Sequence, residues 1–306
     1  YIKAPMIPGH EFIGYIVEIG ENVDEYAHHG DTGFQVGDRV ISEQIVPRWT
    51  DLFSTTGRYW MDEQHDVYGF QNNVNGGFAN YMKFPKEAIN FKLPKDIPVE
   101  KACLTEPYAC SKHGVDRAQI TNEDVVVISG VGVIGLGMVG FAKRRNPKKL
   151  ICLDLNDKRL EKAKEFGADE VLNPSKVDVV EHIKKQTGGY GADIYIEVSG
   201  HPKSVQQGLE ILRKMGRFVE FSVFKDLVEV DWSIISDRKE LDVLGGHLGP
   251  YCYPPTIEWI ADGSIPTDGV VTHKLPLSEW EKGFDMVDSG KDSIKVVLFP
   301  NEEYMK

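Results

Sequence analysis

The sequence predicts an α/β fold in two parts, a β-rich segment followed by a doubly wound parallel sheet. Three observations carry this expectation. Up to about residue 95 the chain reads as short strands separated by Gly, Asn and Asp clusters. From Val125 it alternates strand, Gly-rich turn, helix and strand, and the strands are nearly all apolar, as strands covered on both faces must be. After Gly246 the alternation stops and a tail containing THKLPLSEWEKGFDM and IKVVLFP follows. A chain of 306 residues has room for two domains at roughly 150 residues each.

In the first part the expected strands are YIVEIG (15–20), GDRVI after GFQV (33–41) and GGFANYMKF (76–84). In the second they are VVVIS, LICLDL, EVLN, ADIYIEVSG and RFVEFSV, with LDVLGG closing the series. Between them lie the helical runs GVGVIGLGMVGFAKRR, DKRLEKAKEFGA, VVEHIKKQT and SVQQGLEILRKMG. The run DKRLEKAKEFGA carries Leu160, Ala163 and Phe166 as a core stripe from a start near Lys158, with Gly167 as its stop. Internal repeats and low-complexity segments are absent from the sequence.

Composition narrows the function classes. With 41% hydrophobic, 27% charged and 10% aromatic residues the chain sits among ordinary globular proteins. A net charge of -12 repels phosphate backbones and anionic lipid surfaces, so neither nucleic acid nor a membrane is an expected partner. Four cysteines, Cys103, Cys110, Cys152 and Cys252, lack paired spacing and indicate a reduced, cytoplasmic chain. Apolar runs stay short of the ~18 residues of a membrane span, and no signal-peptide pattern is seen. Because the chain opens at Tyr1 rather than Met, in the middle of a running segment, an N-terminal part is expected to be missing.

The segment GVGVIG fits G-x-G-x-x-G directly after a strand and opens a helix. Gly130 makes the tight turn, Gly132 lets backbone N–H groups approach a pyrophosphate, and Gly135 lets the helix pack close to the strand. The helix N-terminus, at Val133 and Ile134, supplies partial positive charge. The next strand ends at Asp154, roughly 20 residues on, where a carboxylate accepts the adenosine ribose hydroxyls and repels a 2′-phosphate. Together with Arg159, these residues form the candidate cofactor site and favour NAD over NADP. Taken singly, the turn also suits a methyltransferase-like or structural use, and Asp154 a solvated strand end or helix cap.

His10 and Glu11 stand between the turn Pro8-Gly9 and a strand-like run. On a regular strand adjacent side chains face opposite ways, so both reach one ion only if the chain bends there. Alone the pair reads most simply as a hydrogen-bonded His and carboxylate. The set formed by GHEFIGYIVEIG, GDRV, GGFANYMKFP, EPYACSKHGVDRA, GVGVIG, HKLPLSEWEKGFDM and IKVVLFP is more specific. In order and spacing it resembles the zinc-dependent medium-chain dehydrogenase/reductase family over essentially the whole chain. The likeness is closest to the polyol branch, with the sorbitol, threitol/erythritol and threonine dehydrogenases.

The resemblance implies a GroES-like catalytic domain (1–106 and 247–306) around a Rossmann NAD-binding domain (107–246), with zinc in the cleft between them. It implies His10 as a zinc ligand, Glu11 as a ligand or neighbour of the metal, and Glu106 as the acid that the polyol branch places where alcohol dehydrogenases have a cysteine. It places His113 near the cofactor, where a packed structural histidine is the alternative. The implied activity is zinc-assisted hydride transfer between NAD and a polyol or secondary alcohol. Relatives pair through the Rossmann sheet edge, so a homodimer or homotetramer is expected, built on RFVEFSV and ELDVLGG.

Two departures qualify the transfer. The family's first zinc ligand is a cysteine upstream of the His-Glu motif, and none precedes Cys103 here, so the catalytic site is expected to bind metal weakly or be empty. Where the family has a structural zinc on C-x2-C-x2-C-x7-C, this chain has Arg48, Asp51, Ser54 and Asp62, with only His65 nearby. No structural zinc is expected, and packing or ion pairing must hold that lobe, with Trp49, Tyr59 and Trp60 as apolar anchors. The rival readings are a zinc-free reductase of the same superfamily and a non-catalytic dinucleotide-binding relative.

Overall fold

A computed structural model describes residues 2, 4–23, 29–71 and 73–305. The chain divides into two compact units, Tyr1–Ala109 with Pro250–Lys306, and Cys110–Gly249.

In the first unit, β1 (Gly14–Tyr15), β2 (Arg39–Ser42), β3 (Ile45–Val46), α1 (Leu52–Thr55), β4 (Asp66–Val67), β5 (Asn90–Lys92) and α2 (Val99–Ala102) follow one another. They build a three-stranded antiparallel sheet, β1-β2-β5, and a β3-β4 pair. The run YIVEIG pairs only at its start, and Val17 is largely exposed. GGFANYMKF is not a strand. Its first residues bond to the chain at 7–9, while Met82 and Phe84 pack on the core of Phe12, Val46, Tyr68, Val74 and Ala88. A run that packs two side chains on a core without a ladder partner carries the composition of a strand and none of its pairing.

Helix α3 (Thr105–Ala118) leads into the second unit. There β6 (Val125–Ser129), α4 (Val133–Arg144), β7 (Lys149–Leu153), α5 (Asp157–Glu165), β8 (Glu170–Leu172), α6 (Val179–Gln186), β9 (Ala192–Glu197), α7 (Pro202–Ile211), β10 (Leu212–Glu220) and β11 (Asp242–Gly245) follow in the expected order. All neighbouring strands are parallel, in the order β11-β10-β9-β6-β7-β8. This is the doubly wound Rossmann arrangement, and its strand order reverses between β6 and β9. One sheet face buries Val125, Val127, Ile151, Leu153, Tyr195 and Phe218 against Val179, Ile183 and Leu209 of α6 and α7. Of the two strands expected at the edge, β10 is flanked on both sides and β11 is the edge.

The chain returns to the first unit with α8 (Tyr253–Ala261), β12 (Val271–Pro276), α9 (Trp280–Ser289) and β13 (Lys295–Phe299). Strands β12 and β13 form a parallel pair. Among the described residues no helix is long and apolar enough to cross a membrane. All four cysteines are free thiols.

Candidate metal and dinucleotide sites

The His-Glu pair does not lie on a regular strand. Gly9 takes φ +98, and residues 10 and 11 form a bend. The segment before it is clamped by its partner: Gly76 N–H donates to the Ile7 carbonyl (2.7 Å), Gly77 N–H to Gly9 (2.8 Å) and Phe78 N–H to Pro8 (3.0 Å). The approach is so close that a Cβ on Gly76 would lie 2.2 Å from the Gly9 oxygen. The bend turns His10 and Glu11 the same way, and the first turn of α3 brings Glu106. One ligand atom from each of the three lies within 4.8 Å of the others, and this is the cluster of this kind among the described residues.

The cluster is partly buried and charged. Glu106 is buried, and His10 and Glu11 are half-buried. Burial pushes the His10 pKa down, and the Lys295 ammonium adds to this against the pull of Glu11. His10 is therefore a neutral imidazole near pH 7, the form in which histidine ligates metal. Burial would raise the Glu11 carboxyl, but the ion pair with Lys295 outweighs it and holds Glu11 below its ordinary value. Lys295, at the start of β13, is a site residue that sequence reasoning missed. Its only signal was its place in IKVVLFP.

In the second unit the Gly-rich turn joins β6 to α4. Gly130 has φ +95, and a Cβ on Gly135 would lie 2.0 Å from the Gly130 carbonyl oxygen. A Cβ on Gly132 would meet nothing, which leaves open the side from which a phosphate can approach the backbone of α4 at Val133 and Ile134. Asp154 follows β7 and accepts Val131 N–H (2.9 Å) and Asn156 N–H (2.8 Å), tying the turn to the next strand. The cap of α5 is Asn156, which accepts the N–H groups of Lys158 (3.0 Å) and Arg159 (3.4 Å), so Asp154 is not spent on capping. His113, half-buried on α3, has its pKa pushed down to about 4 by burial and Arg117.

Residues 1–95 match the alcohol dehydrogenase GroES-like domain and residues 133–262 the zinc-binding dehydrogenase domain. The chain is 52% identical over 300 residues to an erythritol/L-threitol dehydrogenase of Mycolicibacterium smegmatis, covering 98% of this chain and 82% of that protein. The chain belongs to the zinc-type medium-chain dehydrogenase family. Among solved members, 2R,3R-butanediol dehydrogenase from Bacillus subtilis superposes with a TM-score of 0.83 at 31% identity, covering 97% of this chain and 82% of that one. A structure described as a short chain alcohol dehydrogenase from Escherichia coli CFT073, complexed with NADH, superposes at 0.83 and 27% identity over 97% of this chain and 84% of that one.

In this dehydrogenase the lobe from 48 to 62 carries no cysteine. Its donor set does not fit a structural zinc: an arginine, a serine and two carboxylates replace four thiolates. The same four positions are instead cross-linked by hydrogen bonds. Asp51 Oδ1 accepts Ser54 N–H (2.7 Å) and Oδ2 accepts Glu63 N–H (2.8 Å). Asp62 accepts the N–H groups of Arg48 (2.9 Å), Trp49 (3.2 Å) and Gln64 (2.9 Å), while the Arg48 guanidinium pairs with Asp66. Beneath them Trp49, Trp60 and Tyr251 pack around buried Tyr59, whose hydroxyl donates to Glu43 (2.9 Å). Burial raises the Glu43 carboxyl to about 8, so it is neutral at pH 7. Asp62→Ala removes the acceptor of three amides, of which those of half-buried Arg48 and Trp49 cost ~1 kcal/mol each, and should lower Tm and expose Arg48 and Arg58 to trypsin. Unchanged proteolysis would show that the aromatic packing alone holds the lobe.

Proposed function

We propose that this dehydrogenase transfers hydride between a short linear polyol of the erythritol/threitol class and NAD, with a zinc ion held by His10, Glu11 and Glu106. The convergence of these three side chains carries the reading, against the expectation of a weak or empty site that the lack of a cysteine before Cys103 raised. It gives the imidazole and carboxylate donors of a catalytic site, which typically has three protein ligands and an open position. A zinc there supplies Lewis acidity, lowering the pKa of the substrate hydroxyl so that its carbon can release hydride. Lys295 keeps Glu11 ionised and fixed in direction. The amides at the start of α4 receive the pyrophosphate, and Asp154 retains lone pairs for the ribose hydroxyls while holding Val131 and Asn156. The three-ligand cluster favours this reading over a zinc-free reductase.

The 52% relative supports the four-carbon substrate class. With NAD and a polyol panel, erythritol or threitol should be oxidised at least ~10-fold more efficiently than sorbitol or 2,3-butanediol, the range that pocket fit supplies. Equal efficiencies would remove the four-carbon assignment, and no NADH formation with any alcohol would remove the activity. The four free thiols support a reducing compartment, the cytoplasm, which cell fractionation checks.

The dehydrogenase is further proposed to assemble through β11. Asp242, Val243 and Gly245 of this edge strand are exposed, and so are Val223, Leu227 and Trp232 in the segment leading to it. An apolar edge of this kind calls for a partner strand. Light scattering at micromolar concentration should give a dimer or tetramer, and a monomer would refute the assignment.

A further inference from the structure

Two carboxyl groups that the proposed chemistry does not use sit side by side under the dinucleotide crevice. Glu197 is the last residue of β9 and Glu220 the last of β10. They are register partners in a parallel pair, so both side chains leave the same sheet face, that of Tyr195 and Phe218. Glu197 is fully buried.

Each carboxyl holds the loop that follows its own strand. Glu197 accepts Ser199 N–H (2.9 Å), the Ser199 hydroxyl and Gly200 N–H (3.2 Å). Glu220 accepts Ser222 N–H (2.7 Å). Ser222 then joins the loops, since its hydroxyl oxygen accepts Gly200 N–H at 3.0 Å. The first loop also touches the phosphate turn: a Cβ on Gly130 would lie 2.7 Å from the Ser199 Cα. A continuous band of backbone thus runs from the Gly-rich turn through 198–200 to 222.

In a doubly wound sheet the two halves of a dinucleotide lie on either side of the strand-order reversal. Asp154 marks the adenosine half, beyond β6 and β7. The loops after β9 and β10 therefore floor the nicotinamide half. We propose that the Glu197 and Glu220 pair sets the position of these two loops, making Glu220 a positioning residue for the nicotinamide half of the cofactor. This rests on the dinucleotide reading of the second unit.

The charge balance gives the device a dependence on pH. Burial raises the Glu220 carboxyl to about 7, with Glu197 adding to this against the Ser222 N–H. On the flanking strands the register neighbours are Glu197 and Gly245. The other charges of these strands, Asp193, Arg213, Lys214, Arg217 and Asp242, lie three or more residues back toward the opposite end, ~10 Å or more away, and α7, packed on this face, brings His201 at its cap, Lys203 and Glu210. As pH rises through neutrality Glu220 ionises beside Glu197, and the loops they hold are driven apart.

The test compares NADH with ADP-ribose, which lacks the nicotinamide, by titration calorimetry at pH 6 and pH 8. Wild-type protein should bind NADH several-fold more tightly at pH 6, with ADP-ribose affinity nearly unchanged. Glu220→Gln, which stays neutral, should abolish the NADH difference. Ser222→Ala should weaken NADH at both pH values, spare ADP-ribose and keep the pH difference, and it decides the matter if Glu220→Gln does not fold. A pH difference that survives Glu220→Gln, or equal effects of either substitution on the two ligands, would overturn the proposal. Failure of wild-type protein to bind either ligand would overturn the dinucleotide reading and this inference with it.

Discussion

His10→Ala should cut polyol oxidation by about a thousandfold or more while leaving NADH affinity unchanged. The size follows from what a Lewis acid contributes: several kcal/mol of charge stabilisation, at one power of ten per ~1.4 kcal/mol. His10 is the only imidazole in the cluster, and burial keeps it in the neutral form that binds metal. Its removal leaves two carboxylates, one already paired with Lys295. Metal content should fall together with activity, which elemental analysis of both proteins would show. NADH affinity is the control, because Gly130, Gly132, Gly135 and Asp154 lie in the other compact unit. A His10→Ala protein that oxidises polyols at the wild-type rate would mean that hydride transfer bypasses these residues, and the zinc-free reductase reading would replace the present one.

The two units differ in how far local sequence determines them. In the second, each strand carries its own apolar run, and GVGVIG and Asp154 belong to one βαβ unit, so the motif and its structural context could be read together. In the first, the determining contacts are distant in sequence. Glu11 and Lys295 are 284 positions apart, and neither flanking stretch hints at the pairing. GGFANYMKF has the composition of a strand, yet its backbone spends its first hydrogen bonds on the turn at Pro8-Gly9. The absence of thiolates from the 48–62 lobe was legible. That Asp51 and Asp62 accept backbone amides from the segments a metal would have joined was not, because amide acceptance depends on loop geometry rather than on residue type.

The second large effect is expected at Asp154. Asp154→Ala should weaken NADH binding by about 10- to 100-fold, since a hydrogen bond to a charged acceptor contributes ~1.5–3 kcal/mol. It should also bring NADPH affinity closer to that of NADH, because the repulsion of a 2′-phosphate is lost with the carboxylate. The loss has a second source in this chain, for Asp154 also holds the amides of Val131 and Asn156 and so ties the phosphate turn to the start of α5. Asp154→Asn separates the two. Its amide oxygen can still accept one of those N–H groups, whereas the negative charge facing the 2′ position is gone. Asn should therefore retain more NADH affinity than Ala while relaxing the NADPH discrimination as far. If wild-type protein instead bound NADPH more tightly than NADH in calorimetry, Asp154 would not face the ribose, and its role would reduce to bracing the turn.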